Sequence, residues 1–171
     1  MLHCTILVAI GANLPGPSGR TPLETCEWAV DRLAALPGLS LVARSRWYRS
    51  SPVPPSGQPD YINGAVCLSG VAEPHALLET LHAIEAEAGR RRAEINAART
   101  LDLDLLAVDG LVIEGPGLVL PHPRLQDRAF VVVPLAEVAP GWVHPRLGPL
   151  AALAAAVDTT GLQAIAPPDR R

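Results

Sequence analysis

Lysine is missing altogether: all 14 basic residues among the 171 are arginine. That excludes a phosphate loop of the Walker A type, whose lysine reaches the terminal phosphates, and it excludes Schiff-base chemistry. Aromatic residues make up only 4%, with a single phenylalanine. Three cysteines, Cys4, Cys26 and Cys67, are odd in number and far apart, with no Cys-x-x-Cys pair. Neither a disulfide framework nor a zinc site is expected from that spacing, and buried free thiols are the favoured reading. Charged residues amount to 18% with a net charge of -3, so the broad basic footprint of a nucleic-acid binder is lacking. Any anion must then be met by a local arginine cluster. No apolar run reaches the ~20 residues that cross a membrane. The start of the chain lacks the basic region and small-residue cleavage site of a secretory signal, so a cytoplasmic location is the expectation.

What is present is apolar: 49% of the residues are hydrophobic, in a chain of the size that builds one core. One domain is expected over residues 1–171, with a loose tail from about residue 160. Residues 4–10 read as a buried strand ended by Gly11. Thr21, Pro22 and Glu24 form a capping box with proline at the first helical position, and Leu23, Cys26, Val30, Leu33 and Leu36 keep helical spacing until Pro37 and Gly38. Residues 39–49 and 60–71 alternate as strands around a proline-rich loop, and Glu73 and Pro74 open a second helix that Gly89 closes. Residues 99–108 read as a strand, Asp109 and Gly110 as a hairpin turn, and residues 111–113 as its partner. The order βαββαβ predicts an α+β, ferredoxin-like core: an antiparallel sheet with helices packed on it. Helical additions follow, over residues 129–138 on either side of Pro134 and near 150–157.

Arg99, Asp102 and Asp104 form the strongest local signal. Side chains alternate on a strand, so the two aspartates leave one face about 7 Å apart while Leu101, Leu103 and Leu105 enter the core. Two carboxylates on one face repel, and a hard divalent cation resolves that; Mg²⁺ takes a couple of carboxylates together with phosphate oxygens and water. Acidic residues on a solvated edge strand are the plainer alternative. Arg90, Arg91, Arg92 and Arg99 flank the loop before the acidic strand, where guanidinium forks suit phosphate, or where cations merely suit a helix C-terminus. His122 and Arg128 can both donate to phosphate oxygens. Phe130, the one phenylalanine, is a stacking platform or a core residue. Tyr61 and Asn63 share one strand face, a ring beside an amide that donates and accepts. Glu85 either faces the acidic pair or is solvated.

Taken in order, these segments resemble the 6-hydroxymethyl-7,8-dihydropterin pyrophosphokinase family of folate biosynthesis, from Ile6 to about Pro145. The matching stretches are Gly11 to Leu14, Trp47 to Ser50, Gln58 to Asn63, Glu85 with Gly89 and Arg90, Arg99 to Asp104, and Pro121 and His122 followed by Arg128 to Phe130. The resemblance implies Mg-dependent transfer of the terminal diphosphate of ATP to the pterin hydroxymethyl group, releasing AMP. It implies two Mg²⁺ ions on Asp102 and Asp104, with Arg90 and Arg99 completing the catalytic set. ATP would be bound by Glu85, Arg90, Arg92, Arg99, Leu105, His122 and Arg128, the last two on the nucleotide side. The pterin would lie between Tyr61 and Phe130, read by Asn63 and by groups near Ser50, Ser51 and Val53. Gly11 and Asn13 would shape the first loop. ATP and the pterin are the implied partners, with no nucleic acid and no membrane, and a monomer suffices. Departures from the family pattern fall at Ile95, Asn96, Ala97, Ala98, Gly117 and Pro123. A two-metal nucleotidyltransferase and a non-catalytic ferredoxin-like ligand-binding module remain as alternatives.

Overall fold

Seven consecutive buried residues, Ile6–Ala12, form strand β1 at the heart of the sheet. The computed structural model describes residues 3–52, 54–90 and 99–166. Helix α1, Pro22–Ala34, starts at the expected capping box: Thr21 accepts from Glu24 N–H, and the Glu24 carboxylate accepts from Thr21 N–H. The predicted strand over 39–49 is two strands, β2 Leu39–Arg44 and β3 Tyr48–Ser50, both paired to the long β4, Tyr61–Gly70. The break falls where the Ser45 hydroxyl accepts from Ala65 N–H and Trp47 lies across Gly64, where a Cβ would collide with the indole.

Helix α2, Pro74–Glu87, is capped by the Glu73 carboxylate, which accepts from His75 N–H and Ala76 N–H. Strand β5, Asp102–Val108, pairs antiparallel with β1, placing Asp102 opposite Gly11 and Asp104 opposite Ala9. Its hairpin partner is not residues 111–113. Strand β6, Ile113–Gly115, pairs instead with β7, Leu118–Leu120. Between them Pro116 fixes the turn, and Gly117 adopts the positive φ of 83° that its next position requires. Helix α3, Ala129–Val138, runs through Pro134, followed by the short pair β8, Val143–His144, and β9, Gly148–Pro149, and helix α4, Leu150–Ala156.

The last element corrects an expectation. Residues 162–164, assigned to a loose tail, are strand β10, Leu162–Ala164, paired antiparallel to β3. The sheet order is β10-β3-β4-β1-β5, with β2 also on β4, and every pairing is antiparallel. Period-2 alternation divides the core. Ile6, Val8, Ile10, Leu103 and Leu105 face α1 and α2, whereas Leu7, Ala9, Ala65 and Leu106 face α3 and α4. The α+β, ferredoxin-like expectation holds, with the C-terminal helices covering the sheet's second face.

A second correction concerns the cysteines. Cys4 and Cys67 form a disulfide, with Cα atoms 5.6 Å apart, and only Cys26 is a free, buried thiol. Their separation of 63 residues hides the pairing, which forms where the chain entering β1 crosses to β4. Among the described residues no helix is long and apolar enough to cross a membrane.

Candidate active site

Asp102 and Asp104 emerge from the end of β5 onto the face opposite Leu103, as alternation requires. Each Asp102 oxygen holds a different arginine: Oδ1 accepts from Arg90 Nη1 at 2.8 Å, and Oδ2 lies 3.0 Å from Arg99 Nη1. Arg90 Nη1 also donates to Glu85 Oε2, and the same oxygen accepts from Leu103 N–H at 2.9 Å. Glu85, 2% exposed, therefore braces both the arginine and the strand bearing the aspartates. Asp104 lies deeper. Burial first, and then the Asp102 charge, push its carboxyl from 3.8 up to about 7, opposed by Arg128.

Asn13, buried at the end of β1, fixes the other side. Its Oδ1 accepts from Arg99 N–H at 2.8 Å, Arg99 C=O accepts from Asn13 N–H and Leu14 N–H, and Asn13 Nδ2 donates to Pro59 C=O. Arg99 is thus held by its backbone while its guanidinium reaches Asp102.

Two cavities open on either side of this cluster, and Arg99, Asp102 and Asp104 line both. The larger, about 650 Å³, is bordered by Ser50, Ser51, Tyr61, Asn63, Arg128 and Phe130. Asn63 Nδ2 donates to Ser50 Oγ at 2.7 Å, and a Cβ on Gly11 would come within 3.2 Å of Asn63 Oδ1, so glycine gives that amide room. The Arg128 guanidinium lies 5.6 Å from the Phe130 ring centre. The second cavity, about 470 Å³, is lined by Glu85, Arg90, Leu105 and His122, and by Gly117 and Pro123. The Leu105 side chain is packed in the core. His122 N–H donates to Leu106 C=O, and its Nδ1 accepts from Arg124 N–H at 3.2 Å. Burial and then the Arg128 charge lower its pKa, which favours the neutral ring with Nε2–H as donor.

All the expected site residues among those described line one or the other of these cavities, Arg128 in the larger and His122 in the second. Val53 and Arg92, and the departures from Ile95 to Ala98, lie outside the described residues. Arg124, Asp127, Asp158 and Thr160 also line the larger cavity, and Leu78 and His82 the second, none of them among the residues expected from the sequence. Leu78, His82 and Glu85 stand at i, i+4 and i+7, one helix face, so that spacing could have shown them.

Two carboxylates fit a divalent cation here, since a buried carboxyl raised by a neighbouring charge is relieved by a cation. Among the described residues no cluster of three or more His, Cys, Asp or Glu side chains forms an all-protein metal cage. That donor set matches Mg²⁺, which leaves most of its coordination to phosphate and water.

The profile of the family "7,8-dihydro-6-hydroxymethylpterin-pyrophosphokinase" matches residues 7–140. The chain is 44% identical over 162 residues to a 2-amino-4-hydroxy-6-hydroxymethyldihydropteridine pyrophosphokinase of Synechocystis, covering 94% of this chain and 80% of that one. It is 39% identical over 158 residues to the protein of that name from Pseudomonas aeruginosa, covering 92% and 94%. In fold it is similar to a crystal structure of Plasmodium falciparum HPPK-DHPS with STZ-DHP, at a TM-score of 0.58 and 11% identity. The match covers 90% of this chain and 43% of that chain.

Proposed function

The chain belongs to the 7,8-dihydro-6-hydroxymethylpterin-pyrophosphokinase family, and from that premise we propose how it performs the pyrophosphokinase step of folate biosynthesis. The terminal diphosphate of ATP passes to the hydroxymethyl oxygen of 6-hydroxymethyl-7,8-dihydropterin, and AMP leaves. The observation that carries this reading is the junction of two cavities on Arg99, Asp102 and Asp104. A transfer between two bound molecules needs such a meeting point, because catalysis of phosphoryl chemistry is largely positioning and charge.

The pterin occupies the larger cavity, its ring between Tyr61 and Phe130. Asn63, fixed by its bond to Ser50, meets the heterocycle edge with one amide that donates and accepts. ATP occupies the second cavity, with His122 Nε2–H directed to a phosphate oxygen. Arg90 and Arg99, which share the Asp102 carboxylate, turn to the transferring phosphates; their forks match phosphate oxygens and stay charged at any working pH. Arg128 approaches the same phosphates from the pterin side. Asp102 and Asp104 would hold two Mg²⁺ ions, which supply charge neutralisation for the phosphates and for the attacking oxygen. All of these groups come from one chain, which supports a monomeric enzyme.

Incubation with ATP, Mg²⁺ and 6-hydroxymethyl-7,8-dihydropterin, followed by chromatography of the nucleotides, tests this. AMP that requires both pterin and metal is the expected product. Pyrophosphate release would indicate nucleotidyl transfer instead, and ADP a single phosphoryl transfer.

A further inference from the structure

The family profile stops at residue 140, yet Asp158, Thr160, Gly161 and Leu162 line the larger cavity. We propose that the C-terminal strand β10 and the turn before it position the pterin end of the site. This rests on the reading that the larger cavity takes the pterin.

Strand β3 is three residues long and ends at Ser50, where the proline-rich loop begins. On one side β4 holds it; on the other β10 does, setting Leu162 against Ser50, Gln163 against Arg49 and Ala164 against Tyr48. Ile165 N–H extends the ladder to Trp47 C=O at 2.8 Å, and its side chain packs on the core. Ser50 Oγ is the acceptor that orients the buried Asn63 amide. Strand β10 therefore acts on the pterin through β3, Ser50 and Asn63. Without it β3 would be a three-residue edge, and short edge strands fray.

The preceding turn is closed on itself. Asp158 Oδ1 accepts from Thr160 N–H at 2.9 Å and from Thr160 Oγ1 at 2.6 Å, and Leu162 N–H donates to Thr159 C=O. It forms a cavity wall that the second cavity lacks, since among the described residues none beyond Pro123 lines that one. The contribution is thus specific to one substrate.

Gln163 is exposed and does not line the cavity. Antiparallel bonding alternates, so with Ile165 donating to Trp47, the Gln163 N–H faces Arg49 C=O. Gln163→Pro removes that donor, and Gln163→Ala keeps it. The expected result for Gln163→Pro is a pterin KM raised about fivefold or more with the ATP KM within about twofold, and unchanged values for Gln163→Ala. Equal rises in both constants, or an unchanged pterin KM, would overturn the proposal. Hydrogen exchange on the unmodified chain is the independent check. Residues 158–165 should gain protection on adding the pterin and not on adding a non-hydrolysable ATP analogue. Pterin binding without that protection would overturn this inference alone, whereas no pterin binding would overturn the functional reading beneath it.

Discussion

The Glu85 carboxylate of α2 accepts the backbone N–H of Leu103 at 2.9 Å, the residue that separates Asp102 from Asp104. A buried acid on a helix thereby fixes the edge strand at the point where its two carboxylates face the cavities. The same oxygen accepts from Arg90, so one side chain sets the spacing of both the acidic and the basic halves of the site.

Glu85→Ala should consequently leave Leu103 N–H and Arg90 without that partner and destabilise the fold by on the order of 3 kcal/mol. Glu85→Gln keeps an acceptor and should recover part of that stability while still weakening ATP binding. Denaturant titration with ATP calorimetry distinguishes the two. Equal stability of Glu85→Ala and the unmodified chain would contradict the bracing role.

Asp104 gives the metal-free protein a pH-dependent stability. Its folded pKa, about 7, lies above the ordinary 3.8, so the folded state binds the proton more tightly than the unfolded one. The associated stability is fully present below about pH 4 and is lost as pH rises through about 7. Thermal midpoints measured without metal should fall over that window, and Asp104→Asn should remove most of the fall. Added Mg²⁺ should raise the midpoint more at pH 8 than at pH 5. A flat pH profile in the unmodified chain would show that burial and Asp102 do not act on this carboxyl as described.

The Phe130 ring is tested by substrate selectivity. Phe130→Ala should weaken pterin binding by about tenfold, consistent with the loss of a stacking aromatic, and leave nucleotide binding within about twofold. Calorimetry showing the larger loss for the nucleotide would remove Phe130 from the pterin cavity.

Much of this site was legible in the sequence because its parts are local. Two aspartates two residues apart share a strand face by alternation alone, and Thr21 with Glu24 announces α1 without any tertiary information. What was hidden depends on register between distant segments. Cys4 meets Cys67 across 63 residues, and β10 meets β3 across more than a hundred, so neither contact has a local signal. The exposed Gln163 and Ala164 carry no core periodicity, so β10 looked like tail. Arg128 immediately precedes α3 and could face either cavity until that helix is placed against the sheet. The false hairpin after Asp109 has a similar cause, since a turn signal names a turn and not its partner.

Asp102 and Asp104 carry the proposed transfer. Asp102→Asn and Asp104→Asn, each checked for folding by circular dichroism and for pterin binding by calorimetry, should lower AMP formation by several orders of magnitude while pterin affinity changes by less than about tenfold. Turnover near that of the unmodified enzyme in either variant would contradict the assignment of the transfer to the junction between the two cavities.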